Sequence, residues 1–363
     1  MLYSFLRPLF FALDPEHAHH LSINALKLLQ ASQRKPAPAF SHPRLAQDLW
    51  GLRFPNPVGL AAGYDKNAAV PLVWSTLGFG FTELGTITAK AQPGNPKPRI
   101  FRLAQDRALI NRLGFNNDGA RAIAERLPSL LTPQGSRPIP LGFNIGKSKI
   151  TPLSDAVADY LESCEKLLPF TDYLVVNVSS PNTPELRKLQ EAERLGRLLE
   201  ALLASMRQFA ETEHTSPKPL LVKIAPDLDA AAIEEIAQLA LSVGVSGLIA
   251  TNTTVERSGL RAGSHEAGGL SGQPLAARAR AVLRAAYRAV EGRLPIIGVG
   301  GIFSAEEAYE RIRAGASLVQ IYTGMIYEGP FLAQRIVRGL IRIIEREGLP
   351  HLRDAVGSDV SSL

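Results

Sequence analysis

The chain has 363 residues, 45% hydrophobic and 20% charged, which supplies enough apolar material for a sizeable core and excludes wholesale disorder. Forty basic against thirty-four acidic residues leave a formal net charge of +6, favouring an anionic substrate, a nucleic acid or an acidic membrane surface without choosing among them. The single cysteine, Cys164, excludes an intramolecular disulfide framework and a cysteine-rich metal site, and no apolar run approaches the ~20 residues that span a bilayer, so a soluble or peripheral protein is expected.

Leu2, Phe5, Leu6, Leu9, Phe10 and Leu13 follow helical spacing, and Asp14-Pro15 then supplies an N-cap with proline at the first helical position. A second helix is expected from about Pro15 to Gln30, before the loop Arg34 to Pro43. Two short helices with a wide apolar face can cover a barrel end, bind a membrane surface, or do both. The run Leu9 to Leu13 is too short for a signal-peptide core. His17, His19 and His20 lack metal-like carboxylate or cysteine partners in sequence, so an interfacial or packing role is expected there and no metal site.

From Pro57 onward, eight apolar runs of strand length are each followed by a turn signal and a helical pattern: Val58–Ala62, Phe81–Thr86, Leu141–Ile145, Tyr173–Val178, Leu221–Ile224, Leu248–Thr251, Ile296–Val299 and Leu318–Tyr322. Strands without polar alternation read as parallel strands covered on both faces. Eight such units predict an α/β chain folded as a (β/α)₈ TIM barrel with a small N-terminal two-helix extension, with the chemistry at the carboxyl ends of the strands. A doubly wound sheet would call for a Gly-x-Gly-x-x-Gly turn, and none is present. The division expected is residues 1–40 for the helical element, 41–345 for the barrel and 346–363 for a C-terminal tail, loose and polar from Gly357. Arg99–Leu103 and Ala108–Asn111 read as a hairpin around Asp106 inserted at the catalytic face, and Cys164 sits in a helical stretch, Ala156 to Leu168, where packing is its expected role.

Polar clusters close several of these strands. Gly300-Gly301 after the seventh and Tyr322-Thr323-Gly324 after the eighth stand where barrels bind phosphate through backbone N–H groups; either motif alone also reads as a tight turn. Lys223 is a charge inside an apolar strand and needs an anionic or polar partner; a ligand contact is expected, with a structural salt bridge as the alternative. Lys66, after Asp65, reads from the sequence as one half of a solvated loop pair. Asn111, Asn144, Asn177, Asn182 and Asn252 fall near the catalytic face, and amides offering both donor and acceptor can read an imide-like ring. Ser179 and Ser180 lack the Gly-x-Ser-x-Gly elbow of acyl transfer, but a serine can serve as a base where its ligand acidifies the proton removed and a nearby water or hydroxyl relays it.

At these residues the sequence resembles the quinone-linked, membrane-associated class of dihydroorotate dehydrogenases over essentially its whole length. The motifs are Asp14-Pro15-Glu16-His17-Ala18-His19, Ala61-Ala62-Gly63-Tyr64-Asp65-Lys66-Asn67, Gly94-Asn95-Pro96-Lys97-Pro98-Arg99, Asn111-Arg112-Leu113-Gly114-Phe115-Asn116-Asn117, Asn177-Val178-Ser179-Ser180-Pro181-Asn182-Thr183 and Gly268-Gly269-Leu270-Ser271-Gly272. The resemblance implies an FMN flavoprotein oxidising dihydroorotate to orotate in pyrimidine biosynthesis. Ser180 would take the proton from carbon 5 while hydride leaves carbon 6. Lys66 would pair with the substrate carboxylate, Asn111, Asn177, Asn182, Asn252 and Thr253 would bind the ring, and Phe115 would lie beside it.

For FMN the implied contacts are Ala62, Gly63, Thr86, Asn144, Asn177, Lys223, Thr251, Ser271, Gly272, Gly300, Gly301, Tyr322 and Thr323. The N-terminal helices would form an apolar tunnel for ubiquinone or menaquinone, with His19, Arg102 and Tyr322 near its inner end. Soluble relatives carry cysteine as the base and lack such an extension, so Ser180 and residues 1–40 separate the classes. Without a transit peptide or membrane helix, a peripheral protein on the cytoplasmic face of a bacterial inner membrane is expected. Two rivals stand beside this reading: an FMN barrel reducing uridine in transfer RNA, which would need a dense basic stripe that the sequence lacks, and a non-enzymatic membrane scaffold. No nucleic-acid partner is expected.

Overall fold

The structure, a computed structural model, describes residues 2–33, 35–131, 136–261 and 263–360. Eight parallel strands close into a barrel: β1 (Val58–Leu60), β2 (Phe81–Ile87), β3 (Leu141–Ile145), β4 (Tyr173–Asn177), β5 (Leu220–Ile224), β6 (Gly247–Ala250), β7 (Ile296–Val299) and β8 (Leu318–Ile321). Neighbours pair in chain order, and β8 closes on β1 through Val319↔Val58 and Ile321↔Leu60. Every residue of all eight strands is buried, which is the physical reason for their unbroken apolar character.

Inside the barrel, Phe81, Tyr173, Val175, Leu221, Ile249, Ile297 and Leu318 form one apolar cluster with Phe54. Phe54 comes from a short hairpin, Gln47–Leu49 paired with Leu52–Phe54, that plugs the amino-terminal end; its ring meets Phe81 edge-on at 5.4 Å and Trp50 at 5.8 Å. The larger cluster lies between the strands and the surrounding helices, and Cys164 is buried there within Ala156–Leu167, its thiol pushed up to about 12 by burial.

Helices α1 (Leu2–Ala12) and α2 (Pro15–Ser32) precede the barrel. Asp14 caps α2, its side chain accepting from the N–H groups of Glu16 at 3.0 Å and His17 at 2.9 Å. Polar anchors hold α2 down: Ser22 accepts from the Tyr64 hydroxyl at 2.8 Å, and Gln30 accepts from the Leu72 N–H at 2.9 Å. Phe5, Leu9 and Leu28 are left 78%, 68% and 74% exposed. Among the described residues no helix is long and apolar enough to cross a membrane.

Two features differ from the sequence reading. The expected hairpin forms, as Ile100–Leu103 with Ala108–Asn111, but a third strand, Gly269–Gly272, joins it from the segment after β6. Its glycine-rich sequence carries no strand signal. The segment from Gly357, expected to be loose, is docked as far as Val360: Gly357 N–H donates to Ile312 O at 3.1 Å, and Asp359 pairs with Arg284 at 3.1 Å and with Arg313. Residues 361–363 lie outside the described residues.

Candidate active site

The strand carboxyl ends surround a cleft of about 1140 Å³, open solvent at its mouth included. Asn177, the last residue of β4, lines it. Its amide N–H₂ donates to Thr86 Oγ1 at 2.9 Å and Asn144 Oδ1 at 3.1 Å, while its Oδ1 accepts from the Ser179 N–H at 3.2 Å, the Ser179 hydroxyl at 3.0 Å and Asn252 Nδ2 at 3.3 Å. These bonds separate the two serines. Ser179 is fully buried and spent, since it also accepts from Asn252 Nδ2 at 2.9 Å. Ser180 faces the cleft, where among the described residues its Oγ accepts only the Asn182 N–H, at 3.3 Å.

Around Ser180 the cleft wall carries Lys66, Asn111, Phe115, Asn182, Asn252 and Thr253, with Asn182 Nδ2 donating to Asn111 Oδ1 at 3.2 Å. The solvated loop pair expected at Asp65-Lys66 is not what forms. Asp65 is buried, accepting from the N–H groups of Ala69 at 2.8 Å and Val70 at 2.9 Å, and it braces the turn that presents Lys66. Burial pushes the Lys66 ammonium down to about 8, with Glu16 and Asp65 opposing and Arg99 adding to the shift. A cation so short of solvation calls for an anionic ligand.

The floor rests on a carboxylate that the sequence reading passed over. Glu83 of β2 is fully buried; it accepts from Lys223 Nζ at 3.0 Å, Asn144 Nδ2 at 2.6 Å and Gln320 Nε2 at 2.6 Å. The structural salt bridge, the alternative for Lys223, is therefore present, although Lys223 and Gln320 also line the cleft. Asn144 does not: it is fully buried behind Thr86, which donates to it. Glu83 could have been found by the argument that singled out Lys223, a charge within an apolar strand that must pair.

At the opposite end, Gly300, Gly301, Gly272, Ser271, Tyr322 and Thr323 form a cradle, with Ala62, Gly63 and Thr251 on the adjoining wall. Gly301 has φ +67°, and a Cβ there would meet Ala276 at 2.5 Å; only glycine brings the backbone this close. Thr323 Oγ1 donates to Ser271 Oγ at 2.9 Å. Of the expected site residues at the barrel mouth, all except Asn144 line this one cleft.

A second cavity of about 1370 Å³, open solvent at its mouth included, lies between the N-terminal helices and the barrel, walled mainly by apolar side chains such as Phe10, Leu21, Trp74 and Met325, with His19, Arg102 and Tyr322 among them. Burial holds His19 well below its usual range, with Lys66 and His20 adding to the shift, so its imidazole is neutral. Arg102 donates to the carbonyls of Phe11 at 3.2 Å and Leu13 at 2.6 Å, closing the end of α1. Tyr322, Ile100 and Leu109 line both cavities, and the Tyr322 hydroxyl donates to Gly63 O at 3.3 Å.

A family model described as Dihydroorotate dehydrogenase matches residues 44–344. The chain is 52% identical to the dihydroorotate dehydrogenase (quinone) of Gloeobacter violaceus, covering 98% of both, and 51% identical to that of Acidithiobacillus ferrooxidans, covering 99% of both. Its structure is similar to the dihydroorotate dehydrogenase of Eimeria tenella in complex with ferulenol, with a TM-score of 0.88 and 42% identity over 95% of this chain and 96% of that one. The ligand-free form of that protein gives 0.87 at 43% identity, over 95% of this chain and 99% of that one.

Proposed function

The chain belongs to the dihydroorotate dehydrogenase family, and on that premise we propose that it oxidises (S)-dihydroorotate to orotate, a step of pyrimidine (UMP) biosynthesis, with FMN as hydride acceptor and a membrane quinone as final electron acceptor. The observation that carries this reading is that Ser180 and Lys66 share one cleft with a glycine cradle and a buried lysine. The cleft suits FMN at both ends: Gly301 brings bare backbone to the cradle wall, packed so close to Ala276 that a Cβ would stand 2.5 Å from it, and at the floor the buried Gln320 Oε1 has no partner among the described residues, beside Lys223. Gly300, Gly301, Gly272, Ser271 and Thr323 would hold the phosphate end, and Ala62, Gly63, Thr86, Asn177, Lys223, Thr251 and Tyr322 the remainder. When bound, FMN supplies acceptance of a hydride and onward release of single electrons.

Lys66 pairs with the substrate carboxylate, exchanging costly isolation for a charge partner. Asn111, Asn177, Asn182, Asn252 and Thr253 hold the ring, with Phe115 beside it. Ser180 Oγ takes the carbon 5 proton as its own hydroxyl proton passes to a neighbouring water or hydroxyl; the paired Ser179 is held too firmly to do so. Asn144, whose amide braces Thr86 and Asn177, acts from behind that wall.

The second cavity takes the ubiquinone or menaquinone ring, His19, Arg102 and Tyr322 being its polar groups. Exposed Phe5, Leu9 and Leu28 would meet the lipid surface at which such a quinone is found, making the protein peripheral to the cytoplasmic face of a bacterial inner membrane. Stopped-flow mixing tests the whole reading. Yellow protein should bleach with dihydroorotate and regain its colour with a short-chain quinone. A colourless protein, or yellow protein inert to dihydroorotate, would refute it.

A further inference from the structure

Arg187, in the turn Leu186–Gln190, lies outside the cleft wall, yet its guanidinium reaches three separate segments. Nε donates to the Ser179 carbonyl at 3.1 Å, Nη2 to the Thr253 carbonyl at 3.2 Å, and Nη1 to Asp227 Oδ2 at 2.8 Å. The first carbonyl belongs to the peptide joining Ser179 to Ser180. The second belongs to the loop after β6 that carries Asn252 and Thr253. Asp227, on the loop after β5, fastens that same loop again by accepting from Thr254 Oγ1 and, at 3.2 Å, from the Val255 N–H. Arg278 stands 3.6 Å from Asp227.

Ser179 is anchored on its own side chain, but among the described residues Ser180 Oγ has only the Asn182 N–H. The direction of Ser180 therefore depends on the plane of the peptide before it, and the group holding that plane from outside the cleft is Arg187. A guanidinium presents its donors at fixed angles, so one rigid fork sets the base loop and the ring-binding loop relative to each other.

We propose that Arg187, backed by Asp227, is a positioning residue that fixes the Ser179–Ser180 peptide plane and so aims Ser180 Oγ at the substrate carbon. This rests on Ser180 being the base, as proposed above.

The test is a double-mutant cycle on the full-length, FMN-loaded protein, following flavin reduction by dihydroorotate. Arg187→Lys keeps a cation facing Asp227 but loses the fork, and should slow reduction by about 10- to 100-fold, the scale of a misaimed reacting group. Orotate affinity, read from the shift in flavin absorbance, should change far less. Ser180→Ala should slow reduction more strongly, and adding Arg187→Lys to it should slow it no further, because the aim of an absent hydroxyl is irrelevant. Asp227→Asn, of equal size and uncharged, reads the same effect from the other side of the pair, with a smaller slowing. Equal slowing by Arg187→Lys with and without Ser180, or no slowing at all, overturns the proposal while leaving the base assignment intact. A wild-type rate in Ser180→Ala overturns the base assignment and the proposal with it.

Discussion

Arg99 grips Glu16 with two nitrogens, Nε at 3.2 and 3.1 Å from the two carboxylate oxygens and Nη2 at 2.7 Å from one of them, and both side chains are only 7% exposed. Glu16 lies on α2 and Arg99 at the edge of the inserted sheet, so the pair fastens the N-terminal element to the barrel mouth. Arg99 also donates to the carbonyls of Pro93 and Asn95, at 2.6 and 2.8 Å.

Replacing Glu16 by Gln leaves a buried guanidinium without its counter-charge, a loss of ~3 kcal/mol or more, and should lower the thermal midpoint by several degrees. Burial opposes ionisation of Glu16, but Arg99, with Lys97 and His20, holds its carboxyl below the usual value near 4.5. A carboxyl depressed in the folded state contributes stability that is fully present above that value and is lost as pH falls through the lower, folded one. The stability difference between wild type and Glu16→Gln should therefore shrink only in acid below about 4.5. A difference that persists unchanged there would assign the loss to packing.

Ser180→Ala should keep its FMN and lose about 10²- to 10⁴-fold in the rate of flavin reduction at neutral pH, the usual worth of a positioned proton acceptor. Ser179→Ala instead removes a hydroxyl that donates to Asn177 and accepts from Asn252, and should weaken orotate binding as well as slow reduction. The contrast between the two variants is the measurement.

Lys66 titrates at about 8 in the unliganded fold, below its usual 10.5, so its charge is present below about pH 8 and lost above it. Orotate affinity should be flat below about pH 7 and fall by up to ~tenfold per unit above about 8. The sign for stability is the reverse of an ordinary ion pair. Between about 8 and 10.5 the unfolded chain holds the extra proton, so Lys66 makes the unliganded fold more stable as pH rises through that window. Lys66→Ala should abolish the fall in affinity; an unchanged slope would remove Lys66 from the anion site.

The sequence expectation is that deleting residues 1–40 spares flavin reduction and impairs quinone turnover, but the structure favours a shorter cut. Phe40 O accepts from Asn56 Nδ2 at 2.8 Å and Ala37 O from the Ser75 hydroxyl at 2.8 Å, while α2 covers Trp74 and Tyr64 at the second cavity. Removing residues 1–13 should retain flavin reduction and lose most quinone turnover. Removing 1–40 should reduce the soluble yield, which expression and gel filtration would show.

Gly301→Ala should be purified with substoichiometric FMN, read as the ratio of flavin to protein absorbance, because the added methyl meets Ala276 at 2.5 Å from a backbone at φ +67°. Full FMN content in this variant would dissolve the cradle argument.

Much of this was legible in the sequence for one reason: barrel strands buried on both faces must be apolar throughout, so each break from apolarity marks a strand end or an internal polar group. That rule located β1 to β8 within a residue or two and pointed to the mouth where Ser180, Lys66 and every singled-out asparagine but Asn144 meet. It did not reveal pairings at long sequence separation. Lys223 read as a lone charge and Glu83, 140 residues away, was passed over, and Arg187, a helix-proximal arginine among many, gave no sign of gripping two loop carbonyls. Short elements also escaped, because the three-residue strands around Trp50 and the glycine-rich Gly269–Gly272 lack periodicity. Asn117, named in the sequence only as the end of a motif, is buried and braces Thr88 and the Gly119 N–H.

Tyr322 belongs to the walls of both cavities, so on the proposed reading a single phenol side chain is shared by the flavin cleft and the quinone chamber. Electrons cross such a partition readily, while molecules do not. The turnover this predicts is ping-pong, with parallel lines in double-reciprocal plots, and a compound lodged in the outer chamber would stop colour recovery while leaving the initial bleaching untouched.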